Sequence, residues 1–291
     1  MKKNVALVLS SGGARGFAHI GVINALEKKG FKITSVAGAS MGALVGGIYA
    51  TGQLKQFEEW VTTLDIMEVL KLTDLTISSK GFVKGKKIIQ KMKEMIPDKN
   101  IEDLKIPYSA VATNIIDGEE SVFSQGSLYD AIRASISIPT VFQPHKSGEH
   151  YYIDGGVLNP VPINRVKRKK NDLLVVVNVN ARIPYKKKKS KEEKHHDNAL
   201  IKQLKLLQKK INAVIPENKT DDIGFFNLTN KSISLMLYKI SALSMEKHNI
   251  DLLINVSRDS FGTYDFYKAK DIIKEGEKAA QKTLKEYLKN G

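Results

Sequence analysis

The chain has 291 residues, 46 Lys+Arg against 31 Asp+Glu, a formal net charge of +15 and 42% hydrophobic residues, enough material to bury the core of one large or two small domains. It has no cysteine, which excludes a disulfide framework, a thiolate nucleophile, a Cys-based zinc site and an iron–sulfur cluster. Two lysines precede an apolar run of only about seven residues with no cleavage signal after it, and the later apolar stretch 36–50 is interrupted by glycines, so neither reads as a membrane span and a soluble, cytoplasmic protein is expected.

Residues 3–10 form a short β-rich apolar run that ends in Ser-Ser-Gly-Gly, and residues 16–29 then carry Phe17, Ile20, Ile23 and Leu26 at helical spacing. A second strand over 33–38 and a small-residue helix over 41–51 complete a βαβα opening, which predicts an α/β fold with a mostly parallel central sheet flanked by helices. Residues 54–104 are helical in pattern, with Phe57, Trp60 and Leu64 along one face, and are expected to form a cap-like segment over a cleft; these residues and Leu70 could line it, although such a stripe is more often plain core. Asp117-Gly118 marks a hairpin between strands at 108–115 and 120–124, a helix over 127–137 stops before Pro139, and a short strand over 151–153 runs into Asp154. The apolar run 173–179 predicts a strand buried on both faces. Helices are expected at 199–212, 231–248 and 266–288, and a strand at 251–256. The whole chain, 1–291, reads as a single domain with a polar, basic surface insertion over about 182–230.

The lysines at 167–170 and 186–189 are the small concentrations of a charge spread along the chain. Such a field attracts polyanions and anionic lipid surfaces. Because RNP aromatics, a zinc finger and a convincing helix-turn-helix are missing, nucleic acid is disfavoured, and a lysine-rich solvated surface is the preferred reading.

Gly38-Ala39-Ser40-Met41-Gly42 is a G-x-S-x-G match between a predicted strand and a predicted helix, the setting of a nucleophile elbow. A serine on that sharp turn points into a cleft only if the residues at 38 and 42 do not crowd it, which explains the two glycines. The loop Ser10 to Gly16 follows the first strand and opens a helix, so its N–H groups can face an anion. It lacks the glycine and the acidic residue of a dinucleotide fingerprint and the Gly-Lys-Ser/Thr of a P-loop, which leaves an oxyanion cradle beside Ser40. Asp154-Gly155-Gly156 sets a carboxylate at a strand end, where the two glycines allow close backbone approach. Together these are a nucleophile, a cradle and a base. A histidine triad fits poorly: His195 and His196 lie in the lysine tract, His248 ends a helix, His145 and His150 precede Asp154, and His19 falls beneath the cradle loop, where it could pack.

SGGARG, GASMG and DGG in this order resemble the patatin-like phospholipases, as do Arg133 to Pro139, Asn159 to Pro162 and Tyr264 to Gly276. The resemblance covers most of 5–180 and resumes near 245, leaving 182–230 unmatched. It implies a Ser–Asp dyad without histidine, with Ser40 as nucleophile, Asp154 as base, and Gly12, Gly13, Ala14 and Arg15 as an oxyanion loop acting mainly through backbone N–H groups. Ser11 stands where many members have a third leading glycine. The expected activity is cleavage of phospholipid or other lipid esters through an acyl-enzyme, with no metal or organic cofactor. Peripheral contact with an anionic membrane surface is a further expectation. A patatin scaffold with weak or no turnover, acting as a regulatory or interaction protein, is the alternative. Two readings of Arg15 stay open: steering of a phosphate head group, or a plain helix-surface arginine.

Overall fold

The computed structural model describes residues 3–72, 84–139, 141–185 and 225–290. They belong to two compact units, one of 1–184 with 237–291 and the other of 185–236. In the second unit the described residues are Tyr185 and the first half of a helix; the lysines 186–189, His195, His196 and the expected helix 199–212 lie outside the described residues.

In chain order the elements are β1 (Asn4–Leu9), a 3-10 turn (Gly13–Phe17), α1 (Ala18–Lys28), β2 (Lys32–Ala39), α2 (Met41–Thr51), α3 (Leu54–Val61), α4 (Ile66–Leu72) and α5 (Lys86–Met95). They continue with β3 (Tyr108–Asn114), β4 (Glu119–Phe123), α6 (Leu128–Ser135), β5 (His145–Ser147), β6 (His150–Asp154), β7 (Leu173–Ala181), α7 (Phe225–Glu246), β8 (Leu252–Ser257) and α8 (Ala269–Asn290). The expected helix over 16–29 starts later as an α-helix, because the chain leaves the glycine loop through a 3-10 turn. The strand β5 was not expected: His-Lys-Ser has no apolar alternation, and its pairing with β6 alone makes it a strand.

The strands form one sheet in the order β5-β6-β3-β2-β1-β7-β8, with β4 also on β3. The pairs β1–β2, β1–β7, β2–β3 and β7–β8 are parallel, whereas β3–β4, β3–β6 and β5–β6 are antiparallel. The fold is therefore α/β with a mostly parallel central sheet. The period of two along β1 and β7 sorts their side chains into two layers. Leu7, Leu9, Val175 and Val177 join the larger core with α1, α2 and α8, while Val8, Leu174 and Val176 pack with Val161, Ile163 and Met245 at the end of α7. Both faces being covered, the central strands carry near-continuous apolar runs.

The layout at β3 positions the site. β4 pairs along one edge from Ala110 to Asn114, so β2 and β6 must share the other. β2 pairs as far as Ala39 opposite Val111, and β6, running the opposite way, ends with Asp154 opposite Ala112. The two strands thus meet end to end on one edge of β3. Among the described residues, no helix is long and apolar enough to cross a membrane.

Candidate active site

Ser40 occupies the single-residue turn between β2 and α2 with φ 53° and ψ −124°, and among the described residues it alone combines a positive φ with a side chain. That strained conformation is held by packing on both sides. A Cβ at position 38 would lie 2.4 Å from the Gly42 carbonyl, and one at position 42 would lie 2.3 Å from the Leu9 oxygen. The G-x-S-x-G spacing is therefore a steric requirement of the turn. Ser40 N–H donates to Ser135 Oγ at 2.9 Å, and Ser135 Oγ donates to the Val111 carbonyl at 2.6 Å.

Asp154 closes β6 and is buried, with 6% of its surface exposed. Its Oδ2 accepts a short hydrogen bond from Ser40 Oγ, and its Oδ1 accepts the Gly156 N–H at 2.7 Å. Its own N–H donates to the Ser137 carbonyl at 2.9 Å. Burial pushes the carboxyl up to about 7, against the opposing pull of the Ser40 hydroxyl and the Gly156 N–H. Gly155 lets the chain turn back against β3, where a Cβ would stand 2.0 Å from the Val111 oxygen.

The glycine loop passes beside this pair. Ser11 N–H is donated to Pro160 O at 2.9 Å and Ala14 N–H to Thr263 O at 2.8 Å, whereas the N–H groups of Gly12 and Gly13 make no hydrogen bond among the described residues. Arg15 fits neither reading left open by the sequence. Its guanidinium is a strut that donates to Val179 O (3.2 Å), Phe261 O (3.1 Å), Thr263 Oγ1 (3.3 Å) and Asn180 Oδ1 (2.8 Å). Burial, together with nearby Arg258, lowers its pKa to about 10. His19 lies fully buried under the loop with Nε2 2.8 Å from the Ser10 carbonyl, and desolvation lowers it to about 4, so the ring is neutral. The other described histidines contact Asp130 (His145), Asn114 (His150) and Ser244 (His248); none hydrogen-bonds to Ser40 or Asp154.

An apolar cavity of about 120 Å³ opens at Ser40. Its walls come from Met41 and Leu44 of α2, Phe57, Trp60 and Val61 of α3, Val69 and Leu72 of α4, and Ile88 and Met92 of α5, closed by Ile136, Ile138, Phe142 and Phe266. Phe57, Trp60 and Leu64 meet both readings of their stripe, belonging to or packing on the core while facing the cavity, whereas Leu70 is not on the wall; its neighbours Val69 and Leu72 are. Sequence reasoning gave no role to Ser135 or Ser137, whose contacts join segments far apart in sequence. Among the described residues no group of three His, Cys, Asp or Glu side chains is placed to hold a metal ion.

The family model described as patatin-like phospholipase matches residues 7–166. An uncharacterised NTE family protein of Mycobacterium tuberculosis is 44% identical over 176 residues, which is 60% of this chain and 49% of that protein. The lysophospholipase NTE1 of Saccharomyces cerevisiae is 31% identical over 183 residues, 60% of this chain and 11% of that protein. The matched region thus spans about half the length of the mycobacterial relative and about a tenth of the yeast one. The crystal structure of VipD from Legionella pneumophila aligns with a TM-score of 0.47 at 16% identity, over 98% of this chain and 67% of that one. With its family model matched over more than half its length, from the first strand past Asp154, the chain belongs to the patatin-like phospholipase family.

Proposed function

We propose that this protein is a serine hydrolase that cleaves carboxylic esters of lipids, phospholipids or lysophospholipids among them, through a Ser40–Asp154 dyad. Ser40 Oγ attacks the ester carbonyl carbon while its proton passes to Asp154 Oδ2, and the carbonyl oxygen becomes the oxyanion. Collapse of the tetrahedral intermediate expels the alcohol, which takes the proton from Asp154 and leaves an acyl group on Ser40. Water then repeats the sequence, giving its proton to Asp154 and releasing the carboxylic acid. Within the glycine loop, Gly12 and Gly13 are the natural oxyanion donors because the Ala14 N–H is already engaged by Thr263. The positive end of α2, which begins at Met41, adds favourable potential at the same point.

The observation that carries this reading is the hydrogen bond between Ser40 Oγ and a buried carboxylate at the head of an apolar cavity. An ordinary aspartate, near 3.9, is a weak base for an alcohol. Raised to about 7, Asp154 is matched to proton transfer at neutral pH. The cavity suits an acyl chain, and the helices of 54–104 that line it serve as its cap. Peripheral contact with an anionic bilayer is supported by α4, an Ile-Met-Glu-Val-Leu-Lys-Leu helix with no buried residue and an exposed Met67, and by exposed Tyr267 in the 266–268 turn that contacts it.

The decisive experiment is fluorophosphonate labelling of wild type and Ser40→Ala, paired with p-nitrophenol release from short and long acyl esters. Labelling and hydrolysis by wild type alone support the reading. An inert wild type, with detergent or anionic vesicles present, overturns it in favour of a scaffold without turnover.

A further inference from the structure

The meeting of β2 and β6 on one edge of β3 leaves two backbone groups without ladder partners. β2 stops pairing at Ala39, the strained turn at Ser40 takes its N–H out of the strand, and α2 offers that N–H no acceptor because the helix begins only at Met41. On β3 the matching group is the Val111 carbonyl. Buried N–H and C=O groups left unpaired are costly and rare. Ser135 Oγ meets both at once, accepting from Ser40 N–H at 2.9 Å and donating to Val111 O at 2.6 Å. A hydroxyl is one of the few side-chain groups that can do this, since it carries one donor and two acceptor sites on a single atom. Ser135 itself is fully buried and ends α6.

Two residues on, the same segment holds the other half of the dyad: Ser137 O accepts the Asp154 N–H at 2.9 Å. Ser137 is fixed in turn by Arg133, whose Nη1 donates to Ser137 Oγ at 2.5 Å and whose carbonyl accepts from that Oγ at 2.7 Å. Arg133 also donates to Lys84 O at 2.6 Å, just before α5, and to Gln143 O at 2.9 Å.

We propose that Ser135 is a positioning residue for the nucleophile, its hydroxyl setting the backbone of Ser40 within a segment, 133–137, that anchors both members of the dyad. This rests on the dyad reading above. Ser135 touches no substrate atom; it fixes the angle at which Ser40 Oγ faces Asp154 and the ester. It also commits the Ser40 N–H, which is thereby not an oxyanion donor.

The test compares Ser135→Ala, Ser135→Cys and Ser135→Thr in the full chain, by active-site-titrated p-nitrophenyl ester kinetics, fluorophosphonate labelling rates and thermal melts. Ala removes the bridge, Cys keeps the volume with a weak donor and acceptor, and Thr keeps the hydroxyl. Misplacement of a reacting group by a fraction of an ångström predicts a fall in kcat of about 10- to 100-fold for Ala and Cys. KM should change little, the labelling rate should fall in parallel with kcat, and Thr should recover activity over Ala even where its methyl lowers the Tm. The midpoint of the pH profile should move little, because burial, which the substitutions leave in place, is the main influence on the Asp154 carboxyl, and the Gly156 N–H still holds Oδ1. Ala or Cys protein that melts normally with kcat within about twofold of wild type overturns the inference. So does a loss of activity that follows the drop in Tm equally across all three variants. An unlabelled, inactive wild type would instead remove the dyad reading itself.

Discussion

The two halves of the dyad are built by opposite means. Ser40 comes from the parallel side of the sheet, where β1, β2 and α2 make a strand–turn–helix whose shape follows from five consecutive residues and the sterics of two glycines. Asp154 comes from the antiparallel side, where β6 is short, only partly buried before its last residue, and held by the 133–137 segment and by Gly156. The nucleophile is therefore specified locally and the base by tertiary context. Changes on the Ser40 side should act on chemistry or on the fold outright. Changes on the Asp154 side should act through protonation and so carry a pH signature.

The largest effect tests the first half. Ser40→Ala should abolish ester hydrolysis and phosphonate labelling while leaving the protein folded, since only one buried oxygen is lost; residual turnover above background in the same assay would move the nucleophile elsewhere.

Asp154→Asn tests the second half on two axes. Loss of the base should lower kcat/KM by at least about a hundredfold. Stability should move the other way. The folded-state pKa of Asp154 is about 7, above that of an exposed carboxyl, so the group contributes stability that is fully present below about pH 4 and lost as pH rises through 7. An amide does not titrate. Relative to the Asp154→Asn variant, wild type should therefore lose on the order of 3 kcal/mol between pH 5 and pH 8. A melt series in which the two proteins keep a constant gap across that range would show that burial does not raise the carboxyl. The wild-type kcat/KM profile should rise with pH through about 7 for the same reason, and a limb near 4 would say the carboxylate is effectively solvated.

Gly42→Ala separates sterics from chemistry. The added methyl would press on the Leu9 and Ser10 carbonyls, so a destabilisation of about 2–4 kcal/mol is expected, with activity per folded molecule falling as the elbow is forced open. Equal stability and activity would mean that the elbow yields at little cost.

This contrast also explains what the sequence could and could not tell. G-x-S-x-G and the glycine loop were legible because each encodes its backbone shape within a few residues, and the buried run of β7 from its apolar content; Asp-Gly-Gly was legible as a turn, but what brings Asp154 to Ser40, its place opposite Ala112 and the Ser137 carbonyl, was not. Ser135 was not, because its partners Ser40 and Val111 lie 95 and 24 residues away and nothing around it marks a hydroxyl that bridges two strand ends. The engagement of Ala14 N–H was hidden in the same way, its acceptor being the carbonyl of Thr263 near the other end of the chain. Neither reading of Arg15, a head-group guide or a helix-surface residue, foresaw the strut, because a 3-10 turn aims the side chain across the ends of β7 and the 261–263 loop. The strand β5 exists only through its partner.

The cavity extends the comparison to substrate choice, with smaller expected effects. Trp60 packs on Phe57 with ring centroids 5.8 Å apart and forms part of the wall. Trp60→Ala should lengthen the space available to an acyl chain and shift the ratio of kcat/KM for long over short p-nitrophenyl esters by about tenfold, the size of discrimination that one or two methylenes carry in an apolar pocket. Because Trp60 is not among the groups that act on the Asp154 carboxyl, the pH midpoint should not move. A change in that midpoint would show that the cap and the base are coupled, most directly through Arg133, which reaches the Lys84 carbonyl ahead of α5 and Ser137 beside Asp154. The two halves of the dyad would then be separate in origin but joined in operation, with acyl-chain binding felt at the carboxylate.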